Sequence, residues 1–365
     1  MFRTPQHVAV IQTAIVGLGN VAGWHRRALE RTSGTRLTAI VDVDESVAER
    51  RATEWGVTPY TDLGNLIASE SVDWVHVCTP VGTHAELGVQ CLRAGAHVLV
   101  EKPVTTTREE YERLIETAGE TGLRATVVHN QVYYPPLVRA RRLVEQCQFG
   151  RLHGVSVRWL ENNDPTEPGR GEWVLDLPGG EFGEGLVHPV YVGLRSAGYP
   201  ASEDAVDVRR IATTDDPDVA YDGVAVSYRT ADEVTCTIQH HSNVHGTRQV
   251  EFFAAEGRVL VDIPTQSVRV YPEGYGPNAT VDRPMLNAAY WTARNAAATA
   301  RSVASVRTRR ALADLRGRDW TIHDTHTPVI RREASAIQGN ADGPTPPLEA
   351  DWTNRIYTMI SETAA

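Results

Sequence analysis

The stretch that decides the fold reads Ala14-Ile15-Val16-Gly17-Leu18-Gly19-Asn20-Val21-Ala22. A short apolar run meets a helical pattern here, and a G-x-G-x-x-A sequence joins them. Gly17 permits the tight turn, Gly19 lets a pyrophosphate approach the backbone, and Ala22 lets the helix pack close to the sheet. The pattern predicts dinucleotide phosphates at the helix N-terminus, bound by this turn, which includes Asn20 and Val21.

Strand and helix patterns alternate from residue 14 to residue 128. Short apolar runs predict strands, and the segments that separate them carry helical periodicity. This βαβ series indicates a parallel Rossmann sheet with helices on both faces. We expect the α/β domain to span residues 1–129. The predicted strands cover residues 14–16, 37–41, 72–78, 97–100 and 125–128.

An acidic residue, Asp42, follows the second predicted strand. An acid about 20 residues beyond the glycine turn is where a dinucleotide fold contacts the ribose. A carboxylate suits free ribose hydroxyls and repels a 2′-phosphate, so the sequence favours NAD over NADP. The alternative is that Asp42 caps the next helix, although Asp44 is better placed for that role.

Lys102 is the only lysine in a chain with 36 lysines and arginines. Lysine can lose its proton when its surroundings depress its pKa, whereas arginine in practice cannot. Lys102 follows the predicted strand at residues 97–100, and open α/β sheets bind their ligands at the carboxyl ends of strands. We expect a functional lysine; the alternative is a leftover surface lysine in an arginine-rich composition.

The N-terminal motifs resemble those of the Gfo/Idh/MocA oxidoreductases. The matching stretches are Gly17 to Ala22, Thr79-Pro80-Val81-Gly82-Thr83-His84 and Glu101-Lys102-Pro103, and Asn130 to Pro135 resembles the family's junction segment. The resemblance implies a nicotinamide cofactor and sugars, inositols or similar polyols as substrates.

The same resemblance assigns roles to residues in these motifs. It places Lys102 against substrate and cofactor, and it places Thr79, Pro80 and His84 along the cofactor site. Glu101 and Asn130 are counted with them among the cofactor-binding residues, because they lie in matched motifs. The alternative for His84 is a residue at a helix N-terminus whose ring is satisfied by the backbone.

A second catalytic motif is expected around Glu184 and His188. Residues four apart on a helix share a face, so the carboxylate could orient the imidazole and raise its basicity. The resemblance implies the same pair, with His188 as general base. The family's usual acid is Asp rather than Glu184, and a further Asp is replaced by Tyr191, which suggests a changed substrate pocket. The alternative is a solvated helix charge and a core histidine.

Strand patterns between residues 205 and 262 predict a mostly antiparallel open sheet. The second domain, residues 130–365, is therefore expected to be α+β and to carry substrate binding and oligomerisation. His240, His241 and His245 lie close together near a strand end. Adjacent residues on a strand point to opposite faces, and we therefore expect no metal site.

The net charge, the cysteine spacing and the apolar runs argue against several classes of protein. A net charge of −10 argues against a nucleic-acid footprint. The four cysteines form no C-x-x-C pair, which argues against zinc sites and disulfide frameworks. No apolar run approaches the roughly 20 residues that span a bilayer. We expect a cytoplasmic protein with a small-molecule substrate, and the resemblance implies a homo-oligomer, a dimer or tetramer.

The sequence predicts an NAD-dependent dehydrogenase that acts on a CH–OH group of a sugar or polyol. Two rivals remain open. One is a glycosidase- or lyase-like enzyme that uses NAD only transiently, without net redox. The other is a cofactor-binding sensor without turnover, which the departures at Glu184 and Tyr191 allow.

Overall fold

The computed structural model describes residues 10–146, 149–167, 169, 171–177, 179–213, 219–271, 282–315 and 324–362. The chain divides into two compact units, each described by itself below. The first comprises Met1–Asn130 with Thr325–Thr358, and the second comprises Gln131–Asp324 with Met359–Ala365. The chain thus leaves the first unit next to the predicted boundary, but the predicted second domain is corrected, since residues 325–358 return to the first unit.

The described strands alternate with helices in the first third of the chain and follow one another in the middle. The strands are β1 (Ile11–Val16), β2 (Thr35–Val41), β3 (Thr58–Tyr60), β4 (Trp74–Val77), β5 (His97–Val100), β6 (Ala125–Val127), β7 (Leu152–Leu160), β8 (Val206–Ile211), β9 (Gly223–Arg229), β10 (Thr235–His241), β11 (Thr247–Ala254), β12 (Gly257–Asp262) and β13 (Ser267–Tyr271).

The described helices are numbered in chain order. They are α1 (Ala22–Glu30), α2 (Glu45–Trp55), α3 (Leu63–Ser69), α4 (His84–Arg93), α5 (Arg108–Thr121), α6 (Pro135–Glu145), α7 (Gly180–Gly185), α8 (Val187–Ala197), α9 (Asp282–Leu315), α10 (His326–Ile337) and α11 (Pro347–Glu362). Within the part of the chain that the structure describes, no helix is apolar over the length that a bilayer crossing requires.

The first unit is a parallel sheet in the order β3-β2-β1-β4-β5-β6. Its central strands are buried on both faces, as in β4, where all four residues are buried. Such strands read as continuous apolar runs, which is why the pattern predicted them. The predicted Rossmann fold is confirmed, while β3 and α3 were missed because they are short and carry little periodicity.

Helix α10 and the part of α11 up to Thr358 belong to the first unit, and buried ion pairs tie them to the end of its sheet. Glu333 on α10 is fully buried and accepts hydrogen bonds from Arg124, at 2.7 Å, and from Thr126. Glu349 on α11 lies 2.7 Å from Nδ1 of His129. These contacts join residues more than 200 positions apart, and no local pattern signals them.

The second unit contains a seven-stranded sheet in the order β13-β12-β11-β7-β10-β9-β8. Only the β7–β10 pair is parallel among its strand pairs, so the predicted mostly antiparallel sheet is confirmed. Helix α8 packs on β7 and β10. Glu184 and His188, which were expected to share one helix, lie on two helices, α7 and α8, which meet at Leu186.

Candidate active site

The turn after β1 has the geometry of a phosphate-binding loop. Gly17 has φ +85°, and a Cβ there would lie 2.8 Å from the backbone carbon and oxygen of Cys78, so only glycine fits. A Cβ at Gly19 would meet no protein atom within 4 Å, so the space beside it is open. No side chain caps α1 at Val21. The turn therefore has room, and uncapped N–H groups, for a pyrophosphate.

Asp42 fixes this turn against the end of β2. Its Oδ2 accepts a hydrogen bond from the N–H of Leu18 at 2.8 Å, and its Oδ1 accepts one from Asp44 at 3.0 Å. The cap of α2 is Asp44, whose carboxylate accepts from Ser46 and Val47. Asp42 thus lies beside the glycine turn, where the ribose of a dinucleotide is expected, and it does not serve as the helix cap.

His84 braces the loop that follows β4. Its ring nitrogens lie 2.8 Å from the carbonyl oxygen of Thr79 and 2.9 Å from that of Pro103. Burial lowers the pKa of His84, although both carbonyls oppose this. The backbone-satisfied alternative for His84 therefore matches the structure. The ring holds Thr79 and Pro80 near the Lys102–Pro103 segment, and its direct contact with a cofactor stays a prediction.

Lys102 and Glu101 stand at the carboxyl end of β5, as predicted. Lys102 is half-buried, and its peptide bond to Pro103 is cis. The Glu101 carboxylate is buried and turned into the first unit, with Oε1 2.8 Å from Nε2 of His25 and 3.5 Å from Nε2 of His326. Burial alone would raise the pKa of Glu101, but these two histidines outweigh it and hold the pKa well below its usual range.

In the second unit, His188 lies on α8 with Tyr191 as a direct ring partner. The Nδ1 of His188 is 2.7 Å from the Tyr191 hydroxyl, and the N–H of Gln131 donates to the same hydroxyl at 3.3 Å. Glu184 is buried on α7. The predicted orienting role of Glu184 stays a prediction. Tyr191, which we associated only with a changed pocket, contacts the imidazole itself.

Glu161, His240 and Arg248 form a second group of polar residues, which the sequence analysis did not predict. Glu161 follows β7, and the sheet places His240 of β10 on one side of this strand and Arg248 of β11 on the other. Arg248 forms an ion pair with Oε1 of Glu161, and Nε2 of His240 lies 3.7 Å from Oε2. Burial alone would raise the pKa of Glu161, but His240 and Arg248 bring it to about 2. Strand pairing assembles this group, and no sequence spacing reveals it.

Glu161 and Arg248 line a cavity in the second unit. The cavity has a volume of about 530 Å³ and lies beside Glu161 and Arg248, and its remaining lining includes Tyr134, Asn162, Asn163 and Glu181. Small-molecule sites usually measure about 300–1,000 Å³. The cavity therefore has the size and the polar lining of a site for a hydroxylated ligand.

The sequence of the chain is similar to those of known oxidoreductases. Residues 11–129 match a family model described as an oxidoreductase family with an NAD-binding Rossmann fold. The chain is 28% identical to dTDP-3,4-didehydro-2,6-dideoxy-alpha-D-glucose 3-reductase from Actinomadura kijaniata, over 77% of this chain and 82% of the relative. It is 25% identical to myo-inositol 2-dehydrogenase from Thermotoga maritima, over 73% and 79%.

A solved structure shares the fold over nearly the whole chain. The WlbA dehydrogenase from Bordetella pertussis, in complex with NADH and UDP-GlcNAcA, matches with a TM-score of 0.75 at 20% identity. The match covers 98% of this chain and 96% of that structure. At this identity the likeness shows a common fold.

Proposed function

We propose that this chain, whose residues 11–129 match the model of an NAD-binding oxidoreductase family, is a Gfo/Idh/MocA oxidoreductase that transfers a hydride between nicotinamide and a secondary hydroxyl or carbonyl. The substrate is a sugar, an inositol or a related polyol. The predicted family, oxidoreductase class and NAD cofactor are confirmed by the comparisons. The observation that carries the proposal is the open, uncapped glycine turn with Asp42 fixed beside it.

The cofactor residues fit a dinucleotide with a free ribose. The turn from Gly17 to Ala22 holds the pyrophosphate, while Asp42 accepts from the ribose hydroxyls and repels a 2′-phosphate. Thr79, Pro80 and the braced loop near them line the remainder of the cofactor site. When bound, the nicotinamide supplies or accepts the hydride, and the protein provides position and electrostatics.

Lys102 is the proposed partner of the reacting oxygen. An ammonium group that donates to this oxygen stabilises the negative charge that develops as the hydroxyl loses its proton. Its neighbour Glu101 is held by His25 and His326, which fixes the backbone at the end of β5. The N–H of Lys102 also donates to Oε2 of Glu101 at 3.2 Å.

His188 is the proposed general base. To take a proton at Nε2, a neutral imidazole must carry its own proton on Nδ1, and that N–H then donates to the Tyr191 hydroxyl 2.7 Å away. The Tyr191 hydroxyl oxygen already accepts a hydrogen bond from the N–H of Gln131, so this oxygen faces hydrogen-bond donors. The buried carboxylate of Glu184 is proposed to stabilise the imidazolium that forms.

The cavity of the second unit is the proposed substrate pocket. Arg248 neutralises the Glu161 carboxylate, and the pair still offers both donors and acceptors. Asn162, Asn163 and Tyr134 add neutral polar groups to the lining. Glu181 contributes a further carboxyl group. This combination of donors and acceptors suits the hydroxyls of a polyol.

One experiment separates the three open functions. The purified chain is incubated with NAD and a panel of sugars and polyols, while absorbance at the NADH band and product mass are followed. The proposal expects NADH together with a ketone that has lost two hydrogens. A rearranged or cleaved product without NADH supports the transient-NAD rival. NAD binding without any product across the panel supports the sensor.

A homo-oligomer stays a proposal that rests on the family resemblance, and a cytoplasmic location stays a proposal that rests on the cysteine pattern and the apolar runs of the sequence. A nucleic-acid or membrane partner is not proposed. Light scattering coupled to size-exclusion chromatography measures the assembly, and a mass of one chain at working concentration would contradict it.

A further inference from the structure

Three histidines and one glutamate meet inside the first unit, outside the residues assigned to the reaction. His25 lies on α1, His76 on β4, Glu101 at the end of β5 and His326 at the first turn of α10. Their exposed fractions are 0%, 0%, 6% and 9%. Ionisable groups this deeply buried require partners, and here the partners are one another.

Three ligand-type atoms of this cluster converge. They are Nε2 of His25, Oε1 of Glu101 and a ring nitrogen of His326, and all lie within 4.8 Å of one another. The His25–Glu101 separation is 2.8 Å, a hydrogen-bond distance. The His326–Glu101 separation is 3.5 Å, longer than the roughly 2.7–2.9 Å of a charge-assisted hydrogen bond. Metal–ligand bonds of about 2.0–2.2 Å in a tetrahedron place the donor atoms about 3.3–3.6 Å apart, which suits the longer separation.

Two of the three residues, His25 and Glu101, have an outer partner at the atom that faces away from the convergence point, and the ring of His326 contacts Asn130. Nδ1 of His25 lies 2.9 Å from Nδ1 of His76. The side-chain amide nitrogen of Asn130 lies 3.3 Å from Nε2 of His326 and 3.4 Å from its Nδ1. Oε2 of Glu101 accepts from the N–H of Lys102. Metal ligands in proteins are held in this way by outer hydrogen bonds, which fix the ring orientation and the tautomer.

The proton inventory of the His76–His25–Glu101 chain permits either a proton or a metal at its end. Without a metal, His76 donates to His25, whose Nε2–H donates to Glu101. With a metal on Nε2 of His25, the proton of that nitrogen is released, and the shared proton moves to Nδ1 of His25, which donates to Nδ1 of His76. His76 takes up a proton at its Nε2 in exchange. The second arrangement needs no additional charge on either ring, because each imidazole keeps one proton.

We propose that the first unit binds a zinc ion through His25 Nε2, Glu101 Oε1 and His326 Nε2, with water as the fourth ligand. Two imidazoles and one carboxylate are ligands that zinc accepts in four-coordinate sites. His76 is a positioning residue that acts through His25. The ion joins α1, the end of β5 and α10, and it holds the backbone that carries Lys102. The expectation of no metal site was based on histidines that are close together in the sequence. The ligands proposed here are far apart in the sequence, at positions 25, 101 and 326.

The test uses the full chain after chelation and desalting. Zinc is added, and the metal retained per chain is measured by mass spectrometry, with cobalt absorbance as a second readout. We expect one retained zinc per chain and the intense cobalt spectrum of a four- or five-coordinate site. His326→Gln should weaken zinc binding more than tenfold. His326 lies in the first turn of α10, and retained NAD binding is the check that the substituted chain is folded.

Two further variants separate this site from adventitious binding to surface histidines. His153→Gln, on an exposed position of β7, is the matched control and should retain zinc fully. His76→Gln removes no ligand and should weaken binding about 10–100-fold, as the loss of an outer partner does. Zinc retention that is equal in the unmodified chain, His326→Gln and His153→Gln would overturn the proposal. A weak octahedral cobalt spectrum, or no retained metal, would also overturn it.

Discussion

The glycine turn of the first unit and the Glu161–His240–Arg248 group of the second are built in different ways. In the first, contiguous residues from Gly17 to Ala22 use their backbone, and one side chain, Asp42, fixes the turn through Leu18. In the second, Glu161, His240 and Arg248 come from three strands and meet through sheet register. A site made of backbone leaves a local sequence pattern, whereas a site made by register leaves none.

The largest expected effect tests whether the second unit carries the chemistry and the first carries the cofactor. His188→Ala should lower kcat by about 10²–10⁴, the usual contribution of a general base, and leave the Kd for NAD unchanged. His153→Ala in the same unit is the control and should keep full activity. Near-normal turnover of His188→Ala on an identified substrate would show that the base is elsewhere.

The next prediction concerns the stability of the register-built group. Glu161 has a folded pKa of about 2 against a usual value of 4.5. Because the pKa of Glu161 is lower in the folded chain, its ionised carboxylate stabilises the folded state. This stabilisation is complete above pH 4.5 and is lost as the pH falls toward 2. The difference corresponds to about 3 kcal/mol by linkage.

Arg248→Met should therefore destabilise the chain at pH 7, and the difference from the unmodified chain should shrink as the pH falls below 4.5. The measurement is the free energy of unfolding in urea across this pH range. Arg209→Met removes an exposed ion pair with Asp207 and should cost less than about 1 kcal/mol at every pH. A pH-independent loss for Arg248→Met would mean that packing, and not charge, holds this group.

A smaller effect is expected at the backbone-built site. Asp42→Asn removes the charge and keeps an oxygen that can accept from Leu18. It should narrow the preference for NADH over NADPH by about tenfold, because the repulsion of a 2′-phosphate disappears. Fluorescence titration with both cofactors measures this. Tighter binding of NADPH than of NADH by the unmodified chain would contradict the assignment of Asp42.

The smallest effect distinguishes the ring partner of His188. Tyr191→Phe removes one hydrogen bond to the imidazole, worth about 1 kcal/mol, and should lower kcat about fivefold. The pH profile of kcat should shift as well, because Nδ1 loses its partner, while the Kd for NAD stays unchanged. An unaltered pH profile would leave Tyr191 a purely structural residue.

Much of the fold was predictable, because parallel strands buried on both faces appear as apolar runs between helices. The return of α10 and α11 to the first unit was not, since the pairing of Glu333 with Arg124 leaves no local signal. The split of the expected helix into α7 and α8 was missed for another reason: residues 179–185 contain four glycines, and periodicity does not place a break within such a run.

The candidate site also contains residues that the sequence predicted and residues that it did not. The glycine turn, Asp42 and the Glu101–Lys102–Pro103 stretch were found, since motif and position within a strand–helix unit determine them. The contact of Tyr191 with His188 was missed because a departure from a family pattern does not say what the new side chain touches. Glu161 and Arg248 carry no motif and depend on strand pairing alone.

The most direct test of the central claim follows the hydride itself. The chain is incubated with NAD and an identified polyol that carries deuterium on the carbinol carbon, and the cofactor is analysed by mass spectrometry. We predict deuterated NADH from the unmodified chain and very little from His188→Ala at equal NAD occupancy. Product formation with no deuterium on the cofactor at any time would contradict hydride transfer to nicotinamide.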